Sequence, residues 1–538
     1  MRAPARARSV EDAPDRARDI ITRLHLSRPD AGAAVSYPSL LHTTRLFAVQ
    51  ALAWAFAANA FAADPLTNAI WQGDMDRSLE LVRARIEADD TDFEAHRLYI
   101  DLLTGMGFAR AAAQDYRSRV DPTAPTADGW ALVGRAEPQP DTALAAFDQA
   151  LSIRADHPSA LTGKAGVFRA TGRQVAAIET YDKALASDPQ NAEAWTGLVQ
   201  SWLTQGAGQT AADLAEKALI AAPHDPSVWL LAATISTEKA PALLERATRL
   251  HPEIPQLWSA LARIQFESDN WRAAGTSYDK AMALSPPDLA TLRVERALVT
   301  EIQNGALNLT GAAVILDIRE IANQDLNLAL AALETLTVEQ PKSGQVRLVY
   351  GNILRSMGNY GAAETHLKAA RDLMPDDADA WSALGAFYLD RKRPDEARPL
   401  LEQAARTRPD DPVLAVAAAM AAAEAGDTKA AEAALRGAIG RFPGSIGPVL
   451  GLTRLLISTG RGDDALDALT VAIKVRPHVE LALALLSTGK ELDRVDEALR
   501  RLDALATETG DPRLKAASAG LKQASSPQTK PPTQTPPQ

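Results

Sequence analysis

Small and apolar residues recur along this chain in one fixed frame. Pro375, Pro409, Pro443 and Pro477 stand 34 residues apart. Ala363, Ala397, Ala431 and Ala465 precede them by twelve residues, and Ala370, Ala404, Ala438 and Ala472 by five. Leu367, Leu401, Leu435 and Leu469 fall between. Earlier copies end at Pro189, Pro223 and Pro286, with Ala177, Tyr181 and Ala184, then Ala211, Ala215 and Ala218, then Ala274, Tyr278 and Ala281 in register. Spacings of three and four place such residues on one helical face. Each proline ends a helix by withholding an N–H and restricting its predecessor. Asp376, Asp410 and Ser445 follow at positions suited to cap the next helix. Gly172, Gly206, Gly358, Gly426 and Gly460 lie between the two apolar segments, where a turn needs positive φ. The frame predicts an antiparallel helix pair per period, and stacked pairs sharing a continuous apolar core.

The fullest copy reads AWSALGAFYLDRKRPDEARPLLEQAARTRP, with Trp381, Leu384, Gly385, Tyr388, Ala397, Leu401, Ala404 and Pro409 at its marked positions. A second reads AWTGLVQSWLTQGAGQTAADLAEKALIAAP, with Trp195, Leu198, Trp202, Ala211, Ala218 and Pro223. The period and these residues resemble the tetratricopeptide repeat family, whose pattern runs W-x2-L-G-x2-Y, then A-x3-F, then P. The resemblance implies an all-α protein: one right-handed α-solenoid superhelix of about twelve helix-turn-helix repeats over residues 63–513. Within a repeat, small residues such as Gly385 let the helices approach, so that Trp381 or Leu384 packs against Leu401.

Departures from the frame stand out. The repeat near 226–254 is five residues short, compressed around Glu238-Lys239-Ala240-Pro241. Near 304–324 about 21 extra residues, NGALNLTGAAVILDIREIANQ, hold an apolar run from Ala312 to Ile318. They predict either an extra helix packed on the core or a protrusion for a partner. The last copy carries Glu491, Arg494, Glu497, Arg500 and Arg501 and caps the open end. Residues 514–538, rich in Pro, Gln and Thr, have no apolar content to fold and are expected to be a disordered tail without strands.

Residues 46–63, LFAVQALAWAFAANAFAA, are uncharged between Arg45 and Asp64 and end in Ala60-Phe61-Ala62. A positive flank, an apolar stretch and small residues before a cut mark a secretory signal, here 45–62 with cleavage after Ala62. A periplasmic or secreted location follows. A retained span anchored in the inner membrane is the alternative. Residues 1–44 form a long leader, expected to be disordered, with Arg interleaved by Glu11, Asp12, Asp15 and Asp19. Those acids argue against a mitochondrial transit peptide, and initiation downstream near Val35 would give an ordinary signal.

The chain has 538 residues, 57 basic against 68 acidic, and a net charge of −11. Such a balance disfavours nucleic acid, whose binding rests on phosphate neutralisation. Zero cysteines exclude disulfides, thiolate metal sites and a lipid anchor. No Walker A, H-E-x-x-H or G-x-S-x-G pattern occurs. His157, His224, His251 and His478 sit at repeat junctions beside prolines, as exposed polar residues, without metal-ligand spacing. Neither metal nor cofactor is expected, nor enzymatic activity.

What the resemblance leaves is binding. In this family the first helix of each repeat lines a concave groove, with its second, fifth, ninth and twelfth positions inward. Those positions give Arg169, Gln200, Arg263, Arg293, Asn352, Arg355 and Arg454, a polar set suited to an extended or acidic protein segment. The family's carboxylate-clamp pattern is not matched, because Leu348 precedes Asn352 by one turn where Lys would stand. The function implied is a non-enzymatic scaffold, exported to a bacterial envelope, that organises partners in polysaccharide secretion, pilus or outer-membrane assembly. Two alternatives are a membrane-anchored adaptor retaining 46–63 and a repeat-associated enzyme of glycosyl transfer or peptide cleavage.

Overall fold

The computed structural model describes residues 65–121 and 123–525. The expected leader, the signal segment and the end of the tail lie outside the described residues. Everything regular among the described residues is helix. The first compact unit runs to Gln345 and the second from Val346, where the sequence predicts one uninterrupted stack. The division follows directly on the repeat that carries the insertion.

The first unit contains α1 (Pro65–Trp71), α2 (Met75–Ala88), α3 (Phe93–Gly105), α4 (Ala109–Arg119), α5 (Ala127–Ala136), α6 (Pro140–Ile153), α7 (Pro158–Ala170), α8 (Gln174–Ser187) and α9 (Ala192–Thr204). It continues with α10 (Gly208–Ala221), α11 (Pro226–Ile235), α12 (Ala240–Leu250), α13 (Pro255–Glu267), α14 (Trp271–Ala283), α15 (Leu289–Gln303), α16 (Leu309–Gln324) and α17 (Leu326–Glu339). The boundary falls in the first turn of α18 (Gly344–Ser356). The second unit then holds α19 (Tyr360–Leu373), α20 (Ala378–Asp390), α21 (Pro394–Thr407), α22 (Pro412–Glu424), α23 (Thr428–Arg441), α24 (Gly447–Ser458), α25 (Gly462–Val475), α26 (Val479–Glu491), α27 (Val495–Thr509) and α28 (Pro512–Ser525). Each unit is an all-α solenoid of helix pairs stacked in chain order. Between α3 and α27 lie twelve repeats.

Within a repeat the paired helices touch at a small residue. An added Cβ on Gly385 of α20 would lie 2.6 Å from Leu401 Cγ of α21, and one on Gly351 2.8 Å from Leu367 Cγ. Gly134 and Gly163 sandwich the Phe147 ring, and Gly197 lies against the Tyr181 phenol. Leu401 thus sits directly over the Gly385 backbone. Trp381 does other work: its indole N–H donates to the Pro375 carbonyl at 2.6 Å. Trp195, Trp229 and Trp258 repeat the bond to Pro189, Pro223 and Pro252 at 2.8–2.9 Å. The proline that ends one repeat therefore has its carbonyl satisfied by the tryptophan of the next.

The turns between the two helices of a repeat use positive φ at Gly172, Gly206, Gly358, Gly426 and Gly460. Lys392 holds the same conformation at φ 57° in the fullest copy. The caps sit one residue later than expected. Asp377 and Asp411, not Asp376 and Asp410, accept from the first N–H groups of α20 and α22, because each proline and the residue after it form a turn before the cap. Ser445 caps nothing; Ile446 occupies that position before α24.

The short repeat is real: α11 has ten residues where its neighbours α9 and α13 have thirteen. The insertion is α16, which lies between α15 and α17 in the chain and packs chiefly on α17. Its run is buried, with Ala312, Val314, Ile315 and Ile318 all inside. Asn308 caps α16 through the Gly311 N–H, and the Gln340 amide fixes Asn308 from the end of α17. The insertion is therefore a core helix and not a protrusion. Helix also extends past 513: α28 packs Leu514 into the last apolar cluster, so the start of the expected tail belongs to the cap.

Gly197→Ala should force the Tyr181 ring out of its seat and lower stability by about 1–3 kcal/mol in denaturant titration. Tyr181→Leu in the same chain should recover part of the loss; a neutral Gly197→Ala would show that the close approach is dispensable.

Candidate functional site

In the first unit the inner-face positions of the first helices meet. Counting from the helix start, these are Glu94, Arg97 and Asp101 of α3, Arg135 of α5, Arg169 of α7 and Glu193 of α9. Arg135 donates to Asp101 at 2.5 and 3.1 Å and to Glu193 at 3.2 Å. Arg97 is 4% exposed and pairs with Glu94 at 2.8 Å and Asp101 at 3.4 Å. Burial pushes the Glu193 carboxyl up, but Arg135 and Arg97 outweigh it and hold the group below its ordinary range. For Asp101 burial wins and the carboxyl is raised despite both guanidiniums. Beside this network lies a cleft of about 150 Å³, lined among others by Glu94, Arg97, Asn191, Glu193, His224 and Asp225.

The chemistry available here is recognition by charge-assisted hydrogen bonds. Each guanidinium already faces carboxylates, so a guest must exchange one ionic bond for another. Asp225 caps α11 by accepting from the Ser227 N–H at 2.9 Å. His157, expected to be exposed, is 1% exposed. It accepts the Ala160 N–H at the start of α7 and bonds Asp128 at 2.8 Å. Burial, with Arg154 nearby, lowers its proton affinity against the pull of Asp128, which suits a ring that must stay neutral at one nitrogen to act as a cap.

The seven residues expected to line a groove are divided between the units, Arg169, Gln200, Arg263 and Arg293 in the first and Asn352, Arg355 and Arg454 in the second. Arg263 is buried between α13 and α15, donating to Glu295 at 3.0 and 3.1 Å and to Asp288 at 3.0 Å. Arg355 pairs with Asp390 of α20 at 2.9 Å. Arg169 sits between the Tyr181 phenol and Glu193. Gln200 and Arg293 are half-buried, and Asn352 is exposed on α18. Arg454 alone of the set is an exposed cation on an otherwise apolar stretch, GPVLGLTRLLIS. Sequence reasoning missed Glu94, Arg97, Asp101, Arg135 and Glu193. The same register extended to the earlier copies, with acids counted beside bases, contains them.

The second unit has a different inner face. From Val413 to Ala423 helix α22 is apolar on every side, yet Val413 is 72% exposed and Val416 and Met420 are half-buried. Val416 contacts the start of α24, within 3.9 Å of a Cβ placed on Gly447. Leu450 of α24 packs on the cluster holding Leu481 and Leu485 of α26, where Leu483 is 51% exposed. No helix among the described residues is long and apolar enough to cross a membrane.

Arg263→Met should leave the buried Glu295 and the half-buried Asp288 without their cation, costing about 3 kcal/mol by analogy with other broken buried pairs. Arg454→Met should leave the melting temperature unchanged. Equal melting of the two variants would contradict the assignment of Arg263 to the core.

Comparisons with known proteins agree with this architecture. A family model described as tetratricopeptide repeat matches residues 320–386, 354–423 and 422–489, and a second of the same description matches 139–192 and 176–226. No curated protein matches. Among solved structures, yeast Tom70 is similar at 15% identity over 78% of this chain and 96% of its own, with a TM-score of 0.29. The APC/C hetero-tetramer Cut9-Hcn1 is similar at 13% identity, 86% and 89% coverage, and a TM-score of 0.30. A thermophilic tetratricopeptide repeat protein of Thermus thermophilus is 24% identical over 30% of this chain and 90% of its own, with a TM-score of 0.25. The matched segments, 139–226 and 320–489, are similar to tetratricopeptide repeats and run in step with the 34-residue helix pairs.

Proposed function

We propose that this protein-interaction scaffold is exported to the cell envelope and that its second unit holds the partner through the inner face of α22, α24 and α26. Scaffolding follows from the repeat family; export rests on the signal pattern at 45–62. The observation that carries the choice of face is α22. A helix apolar all round belongs in a core, yet this one leaves Val413 exposed and Val416 and Met420 only half-buried, in the same unit as the exposed Leu483. In the first unit the inner positions are spent on one another's charges, so that face offers a partner little free binding capacity.

The partner chemistry follows from the same residues. An amphipathic helix would lay its apolar side on Val413, Val416, Met420, Leu450 and Leu483. Arg454 in their midst selects for one carboxylate on that helix. The scaffold's role is then to gather envelope partners that present such a helix, in secretion or surface assembly, with no reaction of its own.

A labelled synthetic helix with leucines at i, i+3, i+4 and i+7 and one glutamate should bind the full chain in fluorescence polarisation. The same peptide with lysine for glutamate should bind several-fold more weakly, and Arg454→Glu should reverse that preference. Loss of discrimination with retained binding would remove Arg454 from the site; no binding by either peptide would refute the face. Independently, the mature protein from envelope fractions should begin at Ala63, and recovery with an intact leader would refute cleavage.

A further inference from the structure

Between α21 and α23, over α22, runs a cleft of about 210 Å³. Seven of its twelve lining residues are alanines, so the cleft exists because side chains are missing. The preceding repeat shows which ones. Thirty-four residues back, Trp381, Tyr388 and Leu400 stand in register with Ala415, Ala422 and Ala434, and Arg371 with Ala405. There the Trp381 ring packs on the cluster of Ala404 and Leu414, with the Arg371 guanidinium 5.7 Å from a ring centre. Its indole N–H satisfies the Pro375 carbonyl at 2.6 Å. In the alanine repeat the frame is kept and the ring is gone.

Pro409 follows α21 as Pro375 follows α19, and it stands six residues before Ala415. No donor among the described residues reaches the Pro409 carbonyl. After Pro443 and Pro477 the same position holds Val449 and Leu483, which supply bulk without an N–H. Ala415 supplies neither. The facing side of α23 is equally bare: between Ala434 and Arg441 on one helical face lies Gly437, and a Cβ there would meet nothing within 4 Å. Arg441, at the rim, is exposed. Its guanidinium lies over the Phe442 ring at 5.1 Å and meets no carboxylate among the described residues. The other charged residues of the lining are paired, Arg398 with Glu402 and Asp411 with Arg408.

We infer that this cleft is a socket for a tryptophan of a partner protein, whose indole N–H bonds the Pro409 carbonyl and whose ring takes the place that Trp381 fills one repeat earlier. An acidic residue beside that tryptophan meets Arg441. An apolar floor with one unused acceptor suits an indole, which brings a donor, and not a phenyl or aliphatic side chain, which does not. The cation at the rim sets the sign of the neighbour. The socket is separate from the inner face: at about 100° per residue, Ala415 and Ala422 lie on the side of α22 opposite Val413, Val416 and Met420. A helix apolar all round thus presents one side to each site.

The probe is the peptide acetyl-Gly-Ser-Asp-Trp-Gly-Ser-amide carrying fluorotryptophan, followed by fluorine NMR as the full chain is added. Its resonance should broaden and shift, and the unlabelled peptide should compete. Peptides methylated on the indole nitrogen, or with phenylalanine for tryptophan, should compete about fivefold more weakly. Ala415→Trp should fill the socket from within, raising the melting temperature and abolishing binding. Ala434→Leu, at an exposed helix position, should block the same space without disturbing the core, and it decides the matter if Ala415→Trp does not fold. No binding by the wild-type chain, or undiminished binding by Ala434→Leu, would overturn the socket. Competition by the methylated and phenylalanine peptides equal to that of the parent would overturn the bond to Pro409 and the assignment to tryptophan. Arg441→Glu should reverse the preference for aspartate over lysine beside the tryptophan, and an unchanged preference would remove Arg441 from the site. Self-association of the chain that Ala434→Leu abolishes would make the occupant a second copy and overturn the partner.

Discussion

The closeness of two helix axes governs this structure. A glycine or alanine on the first helix of a repeat lies under a large side chain of the second, as Gly385 lies under Leu401 and Gly197 under Tyr181. No Cβ fits at the tightest of these points, so the residue type is set by distance rather than by helix propensity, which glycine lowers. Once the pair is fixed, its remaining apolar stripe has nowhere to go except onto the next pair. The recurring bond from tryptophan to the preceding proline carbonyl then ties one repeat to the next. It answers the free acceptor that each proline-terminated helix would otherwise leave exposed.

Against that constant frame the inner faces differ, and the difference is electrostatic. In the first unit Arg97, Arg135 and Arg169 are matched by Glu94 and Asp101 of α3 and Glu193 of α9. Removing these groups from water is tolerable only because they satisfy one another, and the same mutual satisfaction makes them poor hosts. In the second unit α22 presents valine and methionine where charges stand in α3. Nothing in the helix frame requires either choice, because these positions point away from the pair's own core. They are where repeats of one architecture acquire different chemistry.

The two irregular repeats show how a solenoid absorbs changes of length. The 21-residue surplus folds as α16, capped by Asn308 and roofed by Gln340, with its aliphatic side turned inward. The five-residue deficit shortens α11 to ten residues beside neighbours of thirteen. A surplus can be met locally, since a helix carries its own backbone hydrogen bonds.

The sequence alone determined the fold class, the period, the turn glycines and the positions of both irregular repeats. These are local properties, written in spacings within one period. It placed the caps at Asp376 and Asp410, one residue early, because the length of the turn after proline is a backbone detail. It identified α16 as an added segment but not its burial. Tertiary structure decided the rest: which inner residues are paired, that Arg263 and His157 belong to the interior, and that Trp71 closes on α11 and α13. A charged residue at an inward position reads the same in sequence whether it faces solvent or an opposite charge two repeats away. Only the curvature of the stack brings Arg135 to Glu193 and Trp71 to Trp229, and curvature is a sum over many helix contacts that no single spacing encodes.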